Sequence, residues 1–173
     1  MRNQVVIFEG PDRCGKTEIG QALSVRMGYS YLKNKNEEFY FKQPYLFPLA
    51  AEIEGRYLLN FLNQVRFQHS GIILDRSMPS EWVYAQVYNR SYSDFVWDFD
   101  SEMAAQGGKI VYCYKDHYSD YHDDLVDFSE IDVIKKLYME YLSRTKMPVL
   151  YLKTDDENLG RQLSEIESFL DKG

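Results

Sequence analysis

The sequence predicts an α/β protein in which a mostly parallel, five-stranded sheet is covered by helices on both faces. Three observations lead to this fold class. Short apolar, β-branched runs alternate with longer segments in which apolar residues recur every four positions. No internal repeat or linker rich in Pro, Gly and Ser interrupts this alternation. The length of 173 residues is that of one ordinary domain, so we expect a single domain over residues 1–173.

The chain begins with a predicted strand, turn and helix. The run QVVIF at 4–8 is compact and β-branched, which is typical of a buried strand, and a turn containing glycine follows it. Ile19, Leu23 and Met27 then step by four residues and predict a helix. Gly28 is placed to end that helix.

The next segments predict two more strands with a long helix between them. A strand is predicted at 39–42, on a weaker signal. Residues that again step by four predict an amphipathic helix, marked by Leu49, Ile53, Tyr57, Phe61 and Val65. The apolar run Gly71–Asp75 is a second clear buried strand, and it ends in a carboxylate.

The remainder of the chain continues the alternation. Helices are predicted at 80–89 and 94–106, and a strand at 109–115. A capping box at Ser129 and Asp132 opens a further helix, marked by Ile134, Leu137, Tyr138, Tyr141 and Leu142. The last strand is Val149–Lys153, and the last helix is marked by Leu159, Leu163, Ile166 and Leu170. Tyr138, Tyr141 and Tyr151 are expected to serve packing.

Residues 10–17 (GPDRCGKT) fit the phosphate-loop pattern G-x-x-x-x-G-K-[ST] between a predicted strand and a predicted helix. The glycines let backbone N–H groups wrap a phosphate, and the start of the helix adds its positive end. The sequence therefore predicts a P-loop NTPase fold that binds a nucleoside triphosphate, with ATP as the expected cofactor. The expected nucleotide-binding residues are Gly10, Pro11, Asp12, Arg13, Cys14, Gly15, Lys16 and Thr17.

Within this loop, Lys16 is expected to place its ammonium between the β- and γ-phosphates, and Thr17 to ligate Mg²⁺. The stretch 8–17 (FEGPDRCGKT) closely resembles the loop of thymidylate kinases, some of which carry an Asp-Arg pair at Asp12 and Arg13. The resemblance implies that Asp12 meets the 3′-hydroxyl of the substrate sugar and that Arg13 reaches the transferring phosphoryl group. A guanidinium suits that role because it can pair with two of the charged oxygens.

A second motif, Asp75-Arg76-Ser77, ends a predicted strand beside the phosphate loop. An acid there can hold Mg²⁺ through water, and Arg76 could clamp both the acceptor phosphate and the γ-phosphate. The segment is similar to the thymidylate kinase motif that begins Asp-Arg-Tyr or Asp-Arg-His, with Ser80 and Tyr84 also at matched positions. Ser77 departs from that motif and is closer to the Glu-Arg-Ser motif of deoxynucleoside kinases, so both families stay open.

Two further candidates lie on the predicted substrate side. Thymidylate kinases carry an Arg in a place similar to Arg56 that contacts the pyrimidine and the acceptor phosphate. The alternative is a solvated Arg on a helix surface. Phe41 falls where both families place a substrate segment, and it could stack on a base or belong to a core strand.

Gln43 bears on whether the acceptor is a deoxynucleoside or a deoxynucleoside monophosphate. Deoxynucleoside kinases commonly have a Glu before the Pro of that segment, which removes the proton of the attacking 5′-hydroxyl. This chain has Gln43, which cannot act as a base. The departure favours a monophosphate acceptor, whose phosphate needs no such base. Other carboxylates that could still serve as a base are Glu37, Glu38 and Asp75.

The segment 115–132 holds one Lys against seven acids, a formal charge of −6, which leaves −1 of the chain's −7 for all other residues. Monophosphate kinases have a lid at this place, so we expect a lid-like segment at about 115–128. Some members carry catalytic arginines in the lid; this segment has none, and Arg13 would replace them. The near-neutral remainder gives little sign of a basic groove, although DNA is not excluded as a substrate.

No apolar stretch approaches the length of a membrane span, and the apolar run at the N-terminus is too short for a signal peptide. With two Cys there is no disulfide framework, and a reducing, cytoplasmic location is expected. The resemblance implies transfer of the γ-phosphoryl group of ATP, with Mg²⁺, to a deoxynucleoside monophosphate, favouring a pyrimidine. Thymidylate kinases are often dimers, so a homodimer stays open here.

Two other functions stay open. The first is a kinase of a hydroxyl group, on a deoxynucleoside or on a hydroxymethyl pyrimidine, either free or in DNA. The second is a non-enzymatic P-loop protein whose nucleotide state switches a partner. The presence of both Arg13 in the loop and Arg76 on the acceptor side argues against the switch.

Overall fold

A parallel five-stranded sheet lies at the centre of the computed structural model, which describes residues 4–34, 43–64, 71–118 and 130–172. The strand order is β2-β3-β1-β4-β5, so the central strand is β1, and every neighbouring pair is parallel. The predicted fold class is confirmed. The strands are β1 (Gln4–Glu9), β2 (Ser30–Lys33), β3 (Gly71–Asp75), β4 (Gly108–Tyr114) and β5 (Val149–Lys153).

Helices cover both faces of the sheet because successive side chains of each strand point to opposite faces. Val5 and Ile7 belong to one buried cluster, while Val6 and Phe8 belong to the other. None of the helices in the described ranges is long and apolar enough to cross a membrane. They are α1 (Lys16–Met27), α2 (Phe47–Gln64), α3 (Met78–Val87), α4 (Phe95–Ala105), α5 (Ile131–Arg144) and α6 (Leu159–Asp171).

The second strand differs from the sequence prediction. Strand β2 occupies Ser30–Lys33 at the edge of the sheet, where it pairs with β3, and most of its residues are exposed. An edge strand with one covered side needs no apolar run, so the sequence SYLK carries little strand signal. The strand predicted at 39–42 lies outside the described residues.

Helix α2 forms where it was predicted, but of the side chains that mark it within the described residues only Phe61 packs against the core. Leu49, Ile53 and Tyr57 are 56%, 59% and 72% exposed. The residues that α2 buries are instead Ala51, Gly55, Leu59 and Leu62. The apolar stripe at Leu49, Ile53 and Tyr57 therefore lies on the exposed face, and the buried face combines two small residues with Leu59 and Leu62. Gly55 shows why: a Cβ there would lie 3.0 Å from the Phe95 ring, so a small residue allows close contact.

Candidate active site

The phosphate-loop segment connects β1 to α1 at the carboxyl end of the central strand. Gly10 has a φ of 134°, and a Cβ at this position would lie 2.0 Å from the carbonyl oxygen of Cys113. Only glycine fits such a contact and such a backbone. Gly15 is also left-handed, at φ 73°, and directly precedes the first turn of α1. The loop therefore takes its path from these two glycines and leads its backbone into a helix N-terminus.

Lys16 places a buried ammonium inside this loop. The residue is 6% exposed, and its Nζ atom donates a hydrogen bond to the carbonyl oxygen of Pro11. Burial and the neighbouring charge of Arg76 lower the pKa of Lys16, with the charge of Asp12 opposing them. A bound phosphate would add negative charge beside this ammonium and stabilise its charged form.

Thr17 and Asp75 meet at the junction of the loop and β3. Thr17 Oγ1 donates a 2.6 Å hydrogen bond to Asp75 Oδ2, and the Tyr31 hydroxyl donates to the same oxygen. Asp75 is 2% exposed. Hydroxyl and carboxylate oxygens are the ligands that Mg²⁺ takes in proteins. These two predicted metal residues are therefore together, and their chemistry fits Mg²⁺.

Asp12, Arg76 and Tyr84 form a connected group next to the loop. Arg76 pairs with Asp12, and the Tyr84 hydroxyl donates a 2.9 Å hydrogen bond to the other oxygen of Asp12. The Arg76 guanidinium also lies 4.9 Å from the centre of the Tyr84 ring. Burial acts to raise the pKa of Asp12, but the charges of Arg76 and Lys16 outweigh it, so the pKa is lowered. Asp12 is therefore held as a carboxylate.

The backbone at this end of β3 is unusual. Arg76 has a φ of 68°, in the left-handed region that favours glycine, and Arg13 in the loop has a φ of 63°. Such conformations persist where the surrounding structure holds them, and they concentrate at functional sites. The Arg76 N–H donates a 3.0 Å hydrogen bond to the carbonyl of Phe8, which connects β3 to β1 just beyond their paired residues.

Behind Arg76 lies a buried polar cluster that sequence reasoning missed. Glu9 is fully buried and accepts hydrogen bonds from the Ser77 backbone N–H and from the hydroxyls of Ser80 and Tyr138. Tyr138 was expected only to pack; its ring is buried in the core, but its hydroxyl reaches this cluster. The position of Glu9 directly before the phosphate-loop pattern is the one signal that the sequence offered.

A cavity of about 290 Å³ opens between the loop and the ends of β2 and β3. Lys33, which the sequence reasoning did not single out, extends into its lining from the end of β2, in register with Asp75. Four of the lining residues are basic and three are acidic. The full lining is Asp12, Arg13, Gly15, Lys16, Thr17, Glu18, Lys33, Asp75 and Arg76.

The structure does not bring every predicted substrate residue to this cavity. Arg56 is exposed, pairs with Glu52 at 2.8 Å and lies over the ring of Phe95 at 4.2 Å, and it is not among the residues that line the cavity. Gln43 is exposed directly before the short 3₁₀ helix Pro44–Leu46. Phe41 lies outside the described residues, so its role stays a prediction.

The first residues of the predicted lid-like segment lie against the phosphate loop. The hydroxyl of Tyr118 and the Sγ atom of Cys14, a residue of the loop, are 3.0 Å apart in a hydrogen bond. The side chain of Lys115 instead pairs with Glu157 at 3.2 Å. Burial raises the pKa of the Cys14 thiol, so this buried cysteine is neutral near neutral pH. The remainder of the predicted lid, from 119 to 128, lies outside the described residues.

Strand order and phosphate loop together define the class: this is the P-loop NTPase fold in its nucleotide-kinase form. No known family profile matches the chain. Among curated proteins it is 30% identical over 97 residues to a deoxyguanosine kinase of Dictyostelium discoideum. The match covers 49% of the chain and 33% of that protein, so the chain spans about a third of the length of the curated relative it matches.

Several solved structures, two of them named as kinases, share the fold over nearly the whole chain. YorR from Bacillus subtilis, in complex with phosphorylated GDP, is 20% identical with a TM-score of 0.73, covering 96% of this chain and 95% of its own. Candida albicans thymidylate kinase is 13% identical, with a TM-score of 0.68 and coverage of 99% and 92%. The deoxyadenosine kinase from M. mycoides is 15% identical, with a TM-score of 0.62 and coverage of 98% and 100%. The predicted resemblance to thymidylate-kinase-like P-loop kinases is confirmed at the level of the fold.

Proposed function

We propose that this protein transfers the γ-phosphoryl group of ATP to a deoxynucleoside monophosphate and gives the diphosphate. The observation that carries the proposal is that Lys33 and Arg76, from the ends of β2 and β3, line the same cavity as Arg13 and Lys16 of the phosphate loop. Cations therefore lie on both sides of the cavity. They suit the phosphates of the donor on one side and the phosphate of the acceptor on the other. A neutral hydroxyl acceptor gives Lys33 no such partner.

In this proposal the loop and the second motif divide the chemistry. Lys16, Arg13 and Arg76 stabilise the charge that spreads over the transferring phosphoryl group. Thr17 and Asp75 hold Mg²⁺, which supplies further neutralisation of the phosphate oxygens when bound. These side chains keep the donor and acceptor close and in line, which is the larger part of catalysis in this reaction class.

The acceptor sugar is assigned to the connected group of Asp12, Arg76 and Tyr84 next to the loop. Asp12, held ionised, accepts from the 3′-hydroxyl, while Tyr84 and Ser80 fix the positions of Asp12 and Arg76 through hydrogen bonds. The resemblance of the loop to thymidylate kinases supports a pyrimidine base. The name of the curated relative concerns a purine deoxynucleoside, so both classes of base belong in the test.

A second candidate is a kinase that phosphorylates the hydroxyl of a deoxynucleoside. The 30% identity to a deoxyguanosine kinase favours it, and Asp75 in the cavity could serve as the base. The two candidates differ in the charge of the acceptor, and Lys33 supports the monophosphate.

An ADP-release assay with product identification decides between them. The purified chain is given ATP and Mg²⁺ with each deoxynucleoside, each deoxynucleoside monophosphate, or DNA containing hydroxymethyl pyrimidines, and a Lys16→Ala variant serves as the catalytic blank. We expect diphosphate products from one or more monophosphates. Turnover of deoxynucleosides or of DNA without any turnover of monophosphates would overturn the proposal. Nucleotide binding without turnover of any acceptor would favour a non-enzymatic switch.

We also propose that the protein forms a homodimer through the exposed stripe of α2, defined by Leu49, Ile53 and Tyr57. Each of these side chains is more than half exposed, and burying the apolar surface that they still expose would stabilise a complex. A stripe along one straight helix can meet its own copy about a two-fold axis, in which each helix covers the other. This favours a second copy of the chain as the occupant of the stripe.

Light scattering across a concentration series tests the dimer. The chain is expected to have twice its monomer mass of 20.5 kDa, and Ile53→Glu is expected to give the monomer. Val25→Glu is the matched control, because Val25 is an apolar residue of α1 that is 86% exposed and lies outside the stripe. A monomeric wild-type chain at every concentration would refute the dimer.

The cytoplasm is the proposed location. Cys14 and Cys113 are both free and buried in the folded chain, and a reducing compartment keeps thiols in that state. The same compartment supplies the ATP that the proposed reaction consumes.

A further inference from the structure

Glu9, the last residue of β1, stands apart from the assigned site because its fully buried carboxylate does not touch the cavity. It accepts a 2.9 Å hydrogen bond from the Ser77 backbone N–H on one oxygen. The other oxygen accepts from the Ser80 hydroxyl and, at 3.1 Å, from the Tyr138 hydroxyl. Placing a carboxyl in the core is costly unless its oxygens are satisfied, so this cluster is built around Glu9.

The two hydroxyls that bind Glu9 also bind Arg76. One nitrogen of the Arg76 guanidinium donates to the Ser80 oxygen at 3.2 Å and to the Tyr138 oxygen at 3.3 Å, while the other nitrogen pairs with Asp12. A hydroxyl has one proton and can donate only once. When both protons point to Glu9, both oxygens present lone pairs to Arg76, so the carboxylate orients the guanidinium through two parallel relays.

Protonation of Glu9 changes this arrangement. The added proton must donate to one of the two hydroxyl oxygens, and the proton of that hydroxyl then turns away from Glu9. The Ser80 and Tyr138 oxygens are 2.9 Å apart, so the displaced proton can point from one to the other. The negative charge that polarises both relays is also lost. Arg76 then keeps its full pairing only with Asp12.

We propose that Glu9 is a positioning residue whose ionised carboxylate, acting through Ser80 and Tyr138, fixes the Arg76 guanidinium for the acceptor phosphate, and whose protonation releases it. This inference rests on the proposed function, since it assigns a pH-dependent regulation to that same site. Glu9 meets neither phosphate nor sugar, and its effect reaches the reaction only through Arg76.

The change of charge falls near neutral pH. Burial raises the pKa of Glu9 from 4.5 to about 7, although the Ser80 hydrogen bond and the charge of Arg76 lower it in part. The other titratable groups that face Glu9 are Tyr138 and Tyr141 from α5 and Cys113 from β4. Burial raises the pKa of all three, so they stay neutral in this range. Glu9 is therefore the member of this described cluster that gains or loses charge around pH 7.

A phosphate bound by Arg76 adds negative charge beside the relay and disfavours the ionised form of Glu9. The pKa of Glu9 in the complex should therefore be higher than in the free protein. Since kcat/KM reports groups of the free enzyme and kcat those of the complex, the rise of kcat with pH is expected at a higher pH than the rise of kcat/KM.

The test is a pH profile of kcat/KM for dTMP, or for whichever monophosphate the acceptor panel identifies, measured from about pH 5.5 to about pH 9. The wild-type chain is expected to be roughly tenfold more efficient at about pH 8 than at about pH 6. Glu9→Gln is expected to lower kcat/KM and to keep only the rise near about pH 6 that comes from ionisation of the monophosphate itself. Glu167→Gln is the matched control, because Glu167 is a surface carboxylate paired with Arg26, and it should keep the wild-type profile.

A second variant tests the relay with Glu9 retained, and it also covers failure of Glu9→Gln to fold. Ser80→Ala combined with Tyr138→Phe removes both hydroxyls, so kcat/KM should fall and lose its rise near pH 7. A profile of Glu9→Gln or of the double variant that runs parallel to the wild-type profile would overturn the role of Glu9. A wild-type profile with no rise beyond that of the monophosphate's own ionisation would overturn it as well.

Failure of the proposed function would look different, since no monophosphate would then be turned over at any pH. In that case calorimetry of dTMP and inorganic phosphate binding across the same pH range carries the test. Affinity that rises more steeply through pH 7 in the wild-type chain than in Glu9→Gln would support the positioning role without the kinase, because ionisation of the ligand is common to both proteins. A ratio of the two affinities that does not change with pH would refute it.

Discussion

The hydroxyl of Thr17 donates a 2.6 Å hydrogen bond to the carboxylate of Asp75, across 58 residues of sequence. This contact joins the first turn of α1 to the end of β3 and closes one side of the cavity. It places the two oxygens that we propose as ligands of Mg²⁺ at hydrogen-bond distance from one another. Mg²⁺ bound here would accept a lone pair from each of the two oxygens, and the Thr17 proton would then no longer point to Asp75.

Loss of the Thr17 hydroxyl should therefore impair the use of Mg²⁺ more than it impairs folding. Thr17→Val keeps the shape of the side chain, and we expect kcat to fall roughly 100-fold, with more Mg²⁺ needed for half-maximal rate. The lost hydrogen bond contributes only about 1 kcal/mol to stability. The measurement is a titration of rate against Mg²⁺. Thr17→Ser retains the hydroxyl and should restore most of the rate; equal losses in Val and Ser variants would contradict the role.

Arg13 is expected to act on the transition state. Arg13→Ala should lower kcat by roughly 100- to 1,000-fold, because a guanidinium at the transferring phosphoryl group is worth several kcal/mol, while KM for ATP changes little. Steady-state kinetics with varied ATP measure both. Arg26→Ala is the control, since Arg26 is half-exposed and paired with Glu167 at the far end of α1. Unchanged turnover in Arg13→Ala would remove Arg13 from the mechanism.

Lys33 is expected to bind the acceptor phosphate. Lys33→Ala should raise KM for a deoxynucleoside monophosphate roughly tenfold, the equivalent of one charge-assisted contact of about 1.4 kcal/mol, and leave KM for ATP unchanged. Lys146→Ala is a matched control, because Lys146 bonds to Ser101 on the surface and does not line the cavity. A larger effect on KM for ATP than on KM for the acceptor would instead assign Lys33 to the donor phosphates.

The sequence predicts the parts of this site that belong to two short, continuous motifs. The loop 10–17, Asp75 and Arg76 follow from patterns whose chemistry demands those residue types, and the structure places Lys16, Thr17, Asp75 and Arg76 around one cavity. Lys33 was missed because its place depends on β2, an edge strand of four residues without an apolar run. A single Lys among polar residues carries no signal until its neighbour in the sheet is known.

Two further differences have the same physical origin. The apolar stripe of α2 has perfect helical spacing, yet spacing alone does not say which face meets the core. Ala51 and Gly55 allow α2 to approach its neighbours closely, so these small residues share the buried face with Leu59 and Leu62, while Leu49, Ile53 and Tyr57 are exposed. Likewise, the hydroxyl of Tyr138 reaches Glu9 from 129 residues away. Contacts of such separation are set by the topology, which no local pattern contains.

The buried carboxyl of Glu9 should make stability depend on pH in a direction that can be worked out. Its pKa is raised from 4.5 to about 7 in the folded state, so between these values the folded chain keeps a proton that the unfolded chain has released. The free energy of unfolding therefore falls as pH rises through this window, and it levels off above about 7. The expected loss is about 3 kcal/mol, from a shift of about two pKa units or slightly more.

Denaturant unfolding of the wild-type chain and Glu9→Gln from about pH 4 to about pH 8 isolates this effect. An amide cannot titrate, so the wild-type chain should lose stability relative to Glu9→Gln as pH rises, whatever constant offset the amide introduces. Groups with lowered pKa, such as Asp12, act in the opposite direction but are common to both proteins. Glu167→Gln should run parallel to the wild-type chain. Parallel curves for the wild-type chain and Glu9→Gln would show that Glu9 is ionised throughout and that its pKa is not raised.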